Sequence, residues 1–205
     1  MTAAYNTIQT GELDSLIKDA LAASRANDRA RAIELFTQAS IAAPGWAMPH
    51  LLIGSEYAAS GEIDKAELAL ANAVLLDPRF AIARYQLGLL QFSSGRAAHA
   101  LVTWQPLLSL GESDPLTHFI RGFAALAQDA FADALANFRA GLARDNPNPA
   151  VASDIEKIIA RITEVQAASG SAAASPDSPP DEATEAGRAE EHVLLSNYRQ
   201  SGKGH

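Results

Sequence analysis

The chain has 205 residues, no cysteine and a formal net charge of −8. Its length allows one repeat domain with added segments, and the missing thiols exclude disulfides, thiolate metal sites and cysteine nucleophiles. The acidic balance argues against non-specific nucleic-acid binding. The opening residues, Met1 to Asn6, lack a basic stretch followed by an apolar one, and no apolar run is long enough to span a membrane. A soluble, cytoplasmic protein with no membrane insertion is the expectation.

Residues 1–12 read as a flexible N-terminal segment. From Leu13 a register of 34 residues begins, with units at 13–46, 47–80, 81–114 and 115–148. In each unit position 8 is small (Ala20, Gly54, Gly88, Gly122) and position 20 is alanine (Ala32, Ala66, Ala100, Ala134). Small residues there let two helices of a hairpin approach closely. Position 24 is large and apolar (Phe36, Leu70, Trp104, Phe138) and fills the space they leave. Position 27 is Ala39, Ala73, Leu107 and Gly141. Position 15 (Asn27, Gly61, Gly95, Asp129) holds residue types that tolerate a left-handed backbone, and marks the turn between helix A and helix B.

The second helices end at Pro44 and Pro78 in the first two units. In the third, Pro106 falls inside helix B and is expected to kink it. Gly111 then closes the unit, with Asp114 as the next N-cap and Pro115 at the first helical position. Asn146-Pro147-Asn148-Pro149 ends the fourth unit. Residues 149–167 carry Ile155, Ile158, Ile159, Ile162 and Val165 on one stripe and read as a helix that caps the last repeat. Residues 168–187 are rich in Ala, Ser, Pro and acidic side chains and read as a disordered linker. Between Ser171 and Glu191 six acids face only Arg188, so −5 of the −8 lies there. Residues 188–205 carry a short apolar motif, Val193, Leu194, Leu195 and Tyr198.

A fixed period of this length marks a helical solenoid, an architecture that offers extended binding surfaces. The small residue at 8, alanine at 20, bulky residue at 24, small residue at 27 and proline at 32 together resemble the tetratricopeptide repeat family. The resemblance covers Leu13 to Asn148 and departs from the family at position 4, where Leu16, His50, Arg84 and His118 replace its tryptophan. It implies an all-α, right-handed solenoid whose A helices line a concave groove through positions 2, 5, 9 and 12. Carried over, those positions are Ile17 and Leu21; Met48, Leu51 and Ser55; Ile82, Tyr85, Leu89 and Phe92; Leu116, Phe119, Phe123 and Leu126.

Such a groove is apolar and suits a partner's peptide or amphipathic helix. The family's carboxylate clamp needs Lys, Asn and Arg where this chain has Ile17, Leu21, Leu52, Ile82 and Gln86, so no peptide C-terminus is expected there. Charging Phe119 or Phe123 is expected to abolish partner capture while leaving the helices intact. The tail motif is a second candidate interaction site, for another protein or for self-docking within or between copies. His50, His99, His118, His192 and His205 show no metal-ligand spacing, and phosphate-loop and nucleophile motifs are absent. The reading is a non-catalytic, cofactor-free scaffold or adaptor, with a chaperone for a secreted or assembling subunit as the alternative.

Overall fold

A computed structural model describes residues 10–145 and 148–172. The tail motif Val193, Leu194, Leu195 and Tyr198 and most of the expected linker lie outside the described residues. The fold is all-α, a solenoid of helical hairpins, with no strand among the described residues. The helices are α1 (Thr10–Arg25), α2 (Arg29–Ala42), α3 (Ala47–Ala59), α4 (Ile63–Leu76), α5 (Ala81–Ser93), α6 (Ala97–Trp104), α7 (Pro115–Leu126), α8 (Phe131–Leu142) and α9 (Pro149–Ala172), with a 3₁₀ segment at Gln105–Leu110. The first helix thus starts three residues before Leu13, inside the segment expected to be flexible. The last continues to Ala172, five residues past the expected end of the cap. None of the described helices is long and apolar enough to cross a membrane.

The turns follow from position 15. Asn27, Gly61, Gly95 and Asp129 all adopt positive φ, between 56° and 78°. Three of these turns close alike. Asp28 N donates to Ala23 O, Glu62 N to Tyr57 O and Ala130 N to Ala125 O, at 2.9–3.0 Å. Each satisfies a carbonyl that the ended helix leaves without a partner. Asp28 then caps α2 by accepting from Arg31 N at 3.1 Å, and Asp114 caps α7 by accepting from Leu116 N at 2.8 Å.

The chain forms two compact units that divide after Phe92. In the first, α1–α2 and α3–α4 are packed hairpins, and α2 packs on α3. Ala20, Ala32, Leu35 and Phe36 share a core with Ile53 and Ala69. Ala47, Leu51, Ala66, Leu70 and Ala73 share another with Ala83, Leu87 and Leu90 of α5. Polar ties reinforce the stacking: Ser24 bonds the buried Glu56 carboxylate, and Gln91 Nε2 donates to Glu67 Oε1 at 3.1 Å.

In the second unit, α6 gives way to the 3₁₀ segment where Pro106, lacking an N–H, cannot continue the α-helical ladder. Leu107 of that segment is buried, and its carbonyl accepts from Thr117 Oγ1 of α7 at 3.4 Å. α7 and α8 form the hairpin, and α9 packs on α8. Val151, Ile155, Ile158 and Ile162 of α9 are buried, while Glu156, Lys157, Arg161 and Glu164 face solvent. Each buried aliphatic side chain contributes about 1.5–3 kcal/mol relative to exposure.

Candidate partner-binding face

The side chains that the repeat register assigns to a groove divide sharply by burial. In the first unit Ile17 and Leu21 of α1, Met48, Leu52 and Ser55 of α3, and Ile82, Gln86 and Leu89 of α5 are half-buried. Leu51, Tyr85 and Phe92 are buried. Leu51 shares its core with Ala73, the small residue at position 27 of the same repeat. Ile17, Leu21 and Leu52 pack by one side against the core of Ala20, Phe36 and Ile53. These residues are held in place by the core yet keep part of their apolar surface in water.

A polar pair crosses this face between α3 and α5. Ser55 Oγ lies 3.0 Å from Gln86 Oε1 and 3.0 Å from the Leu51 carbonyl, linking α3 to α5. His50, at the vacant tryptophan position of the second repeat, is half-buried, and burial holds its imidazole below the usual histidine range.

The second unit overturns part of the expectation. Leu116 and Leu126 of α7 are half-buried, but Phe119 and Phe123 are 0% and 1% exposed and belong to the core. The Phe119 ring covers Gly141. A Cβ at Gly141 would lie 2.4 Å from Phe119 Cε1 and 3.1 Å from the Pro115 carbonyl oxygen. Phe123 stacks on Trp104, with centroids 5.0 Å apart, and meets Phe138 edge-on at 5.1 Å. These contacts fix Phe123 inside the unit. The sequence did carry a signal for this. Phe119, an aromatic ring at position 5, sits in the same repeat as the smallest residue at position 27, Gly141. That is complementarity of volume, which favours packing over display.

Sequence reasoning also missed a polar cluster in this unit. Glu112 grips the Arg121 guanidinium through both oxygens, one at 2.7 Å, and this bond holds the Glu112 carboxyl below the ordinary range. The buried His118 ring reaches the Glu112 carbonyl through Nε2 at 2.9 Å, and Arg144 Nε approaches the same nitrogen at 3.4 Å. Nε2 cannot donate to the carbonyl and accept from arginine at once. The shorter contact assigns it as donor to Glu112. Among the described residues no group of His, Asp or Glu is placed to hold a metal ion.

No family model and no curated protein matches the chain. Solved structures do resemble it. One is a crystal structure of MamA, 22% identical, covering 63% of this chain and 76% of that one with a TM-score of 0.53. Another is MamA from Desulfovibrio magneticus RS-1, residue 41 to the end, 11% identical over 94% and 97%, with a TM-score of 0.57. The fold is that of the tetratricopeptide repeat proteins. The shared feature is the stack of helical hairpins.

Proposed function

We propose that the chain is a non-catalytic protein-interaction module that holds an apolar peptide or amphipathic helix on the A-helix face of its first unit. The observation that carries this reading is the row of half-buried apolar side chains, Ile17, Leu21, Met48, Leu52, Ile82 and Leu89, on α1, α3 and α5. Burying two or three ligand anchors there at about 1.5–3 kcal/mol each, less the cost of ordering the ligand, supports a micromolar-scale contact. The face offers no Lys or Arg at the clamp positions, so the ligand is read by its apolar side chains rather than by a terminal carboxylate.

The test is affinity capture from a native extract with mass spectrometry, comparing wild type with Leu21→Gln/Met48→Gln. Loss of a captured protein by the double variant, at unchanged helical content, supports the face. Equal capture by both overturns it. A partner that stays in the finished complex marks a scaffold, and a client released on assembly marks a chaperone. Ending the chain at Ala168 tests in the same experiment whether Val193, Leu194, Leu195 and Tyr198 supply a second motif.

A further inference from the structure

Register positions 25–30 are built differently in repeat three. In the first two repeats they are residues 37–42 and 71–76, the ends of α2 and α4, and they stay α-helical. Each of those ends buries the small residue at position 27, Ala39 or Ala73, and keeps two or three neighbours half-buried. In repeat three the same positions are the 3₁₀ segment Gln105–Leu110, where Leu107 is buried and the other five residues are exposed. The hydrogen bonds of a 3₁₀ turn have poorer geometry than those of an α-helix, and Pro106 supplies no donor. Gly111 follows with φ at 88°, in the left-handed region.

One buried apolar side chain and a short set of polar contacts tie this segment to α7. Thr117 Oγ1 donates to the Leu107 carbonyl at 3.4 Å, and His118 Nε2 donates to the Glu112 carbonyl at 2.9 Å. The Arg121 guanidinium donates to both carboxylate oxygens of Glu112. Thr117, His118 and Arg121 lie within about one turn of α7. Thr117 and His118 are buried, whereas Glu112 and Arg121 are exposed. An exposed ion pair holds weakly and is screened by salt.

We propose that residues 105–114 form a strap that opens from α7 while the helices stay folded, with the Glu112–Arg121 pair as its latch. Opening breaks the Thr117 and His118 bonds and bares Leu107. The cations that face the Glu112 carboxylate are Arg121 and His118 of α7 and Arg144 of α8, and Asp114 is turned to its cap at Leu116 N. The Arg121 hydrogen bond is the main reason that this carboxyl is held below its ordinary range. A carboxyl held low in the closed state favours closure above its ordinary range, and that preference is lost as pH falls through the lowered value. The strap is therefore released by acid and by salt.

Amide hydrogen exchange on the full chain, followed by NMR and corrected for intrinsic rates, tests this. The amides of residues 107–110 are expected to be protected at least about tenfold less than those of Ala134, Leu135 and Phe138 in α8. Their exchange should depend little on added urea, because a local opening exposes little surface. Glu112→Gln should lower the strap's protection by about 2–5-fold. Arg121→Gln should lower it as much, and the double variant no further, because both changes remove one interaction. About 1 M salt, or pH below the ordinary carboxylate range, should lower protection in the wild type and lose that effect in Glu112→Gln. Exchange of residues 107–110 only together with α8, with the same steep urea dependence, overturns the strap. Protection that neither single variant changes overturns the latch. The readout stands apart from partner capture, because it uses purified protein and side chains of the second unit.

Discussion

The two units carry the same repeat register and use its position 9 in different ways; at position 5 only Ile17 of the first repeat differs, since Leu51 and Tyr85 are buried as Phe119 is. In the first unit Ile17 and Leu21 lie half-exposed on α1, and Ser55 makes a polar tie between α3 and α5. In the second, Phe119 and Phe123 occupy those positions on α7 and are sealed inside. The backbone pattern is common to both, so the difference lies in side-chain volume. Gly141 leaves a space that Phe119 enters, and Trp104 and Phe138 flank Phe123. A register position therefore names a direction on the helix. The residues opposite decide whether that direction ends in solvent or in a core.

The sharpest break between the units is expected from charging these positions. Phe119→Asp or Phe123→Asp removes a fully buried ring and buries a carboxylate. Truncation of a buried phenylalanine alone costs about 3–5 kcal/mol, and an unpaired buried charge adds to that. Both variants should lose helical circular dichroism cooperatively near or below ambient temperature. Leu21→Gln and Met48→Gln in the first unit should cost about 1 kcal/mol or less. Equal melting temperatures for the two pairs of variants would show that burial does not separate the units in this way.

Much of the fold is legible in the sequence because it rests on local rules. Asn27, Gly61, Gly95 and Asp129 announced left-handed turns, and all four have positive φ. Asp114-Pro115 announced the start of α7, and Pro106 announced an interruption in the second helix of repeat three. The interruption takes the form of a 3₁₀ segment. The candidate face was less legible because exposure depends on pairs of residues distant in the chain. Phe119 and Gly141 are 22 positions apart, and their fit is invisible to a reading that treats each helix face alone. The outward leucines of α4 were missed for a related reason. The family pattern directs attention to the A helices, while Leu68 and Leu75 are exposed on a B helix.

A smaller contrast lies at position 8, which is glycine in both second and fourth repeats. A Cβ at Gly122 would lie 2.5 Å from two atoms of the Phe138 ring, and one at Gly54 would lie 2.7 Å from Leu70 Cγ. Leucine and phenylalanine both turn about two side-chain torsions, but a Cβ at Gly54 would also lie 3.2 Å from the Ala66 carbonyl oxygen, a backbone atom that cannot turn away. The Phe138 ring is planar and held edge-on against Phe123. Alanine also favours a helix over glycine by about 1 kcal/mol, which offsets part of either clash. Gly122→Ala is expected to destabilise by about 1–3 kcal/mol, and Gly54→Ala to destabilise by less because an aliphatic side chain rather than a packed ring must shift, measured by urea denaturation. Pairing Gly122→Ala with Phe138→Leu should recover part of the loss. If Gly54→Ala proves the costlier change, ring rigidity is not what distinguishes the units.

The smallest expected effect separates the two histidines at position 4. His118 in the second unit is buried and bonds the Glu112 carbonyl, whereas burial alone lowers the affinity of half-buried His50 for a proton. A histidine whose folded pKa lies below its unfolded value binds fewer protons in the native state. Stability from His50 is therefore fully present above the unfolded value, about 6.5, and declines as pH falls from there towards the lowered folded value. Below that value both states are protonated and the dependence flattens. Exposed Glu112 acts in the lower, carboxylate range, because its ion pair with Arg121 is lost only when acid protonates a carboxyl already held low. Replacing His50 with glutamine should flatten the melting-temperature profile just below pH about 6.5, while Glu112→Gln should leave that interval unchanged and alter only the more acidic limb. An unaltered profile in the His50 variant would mean that burial at position 4 of the second repeat costs the charged imidazole too little to register in folding.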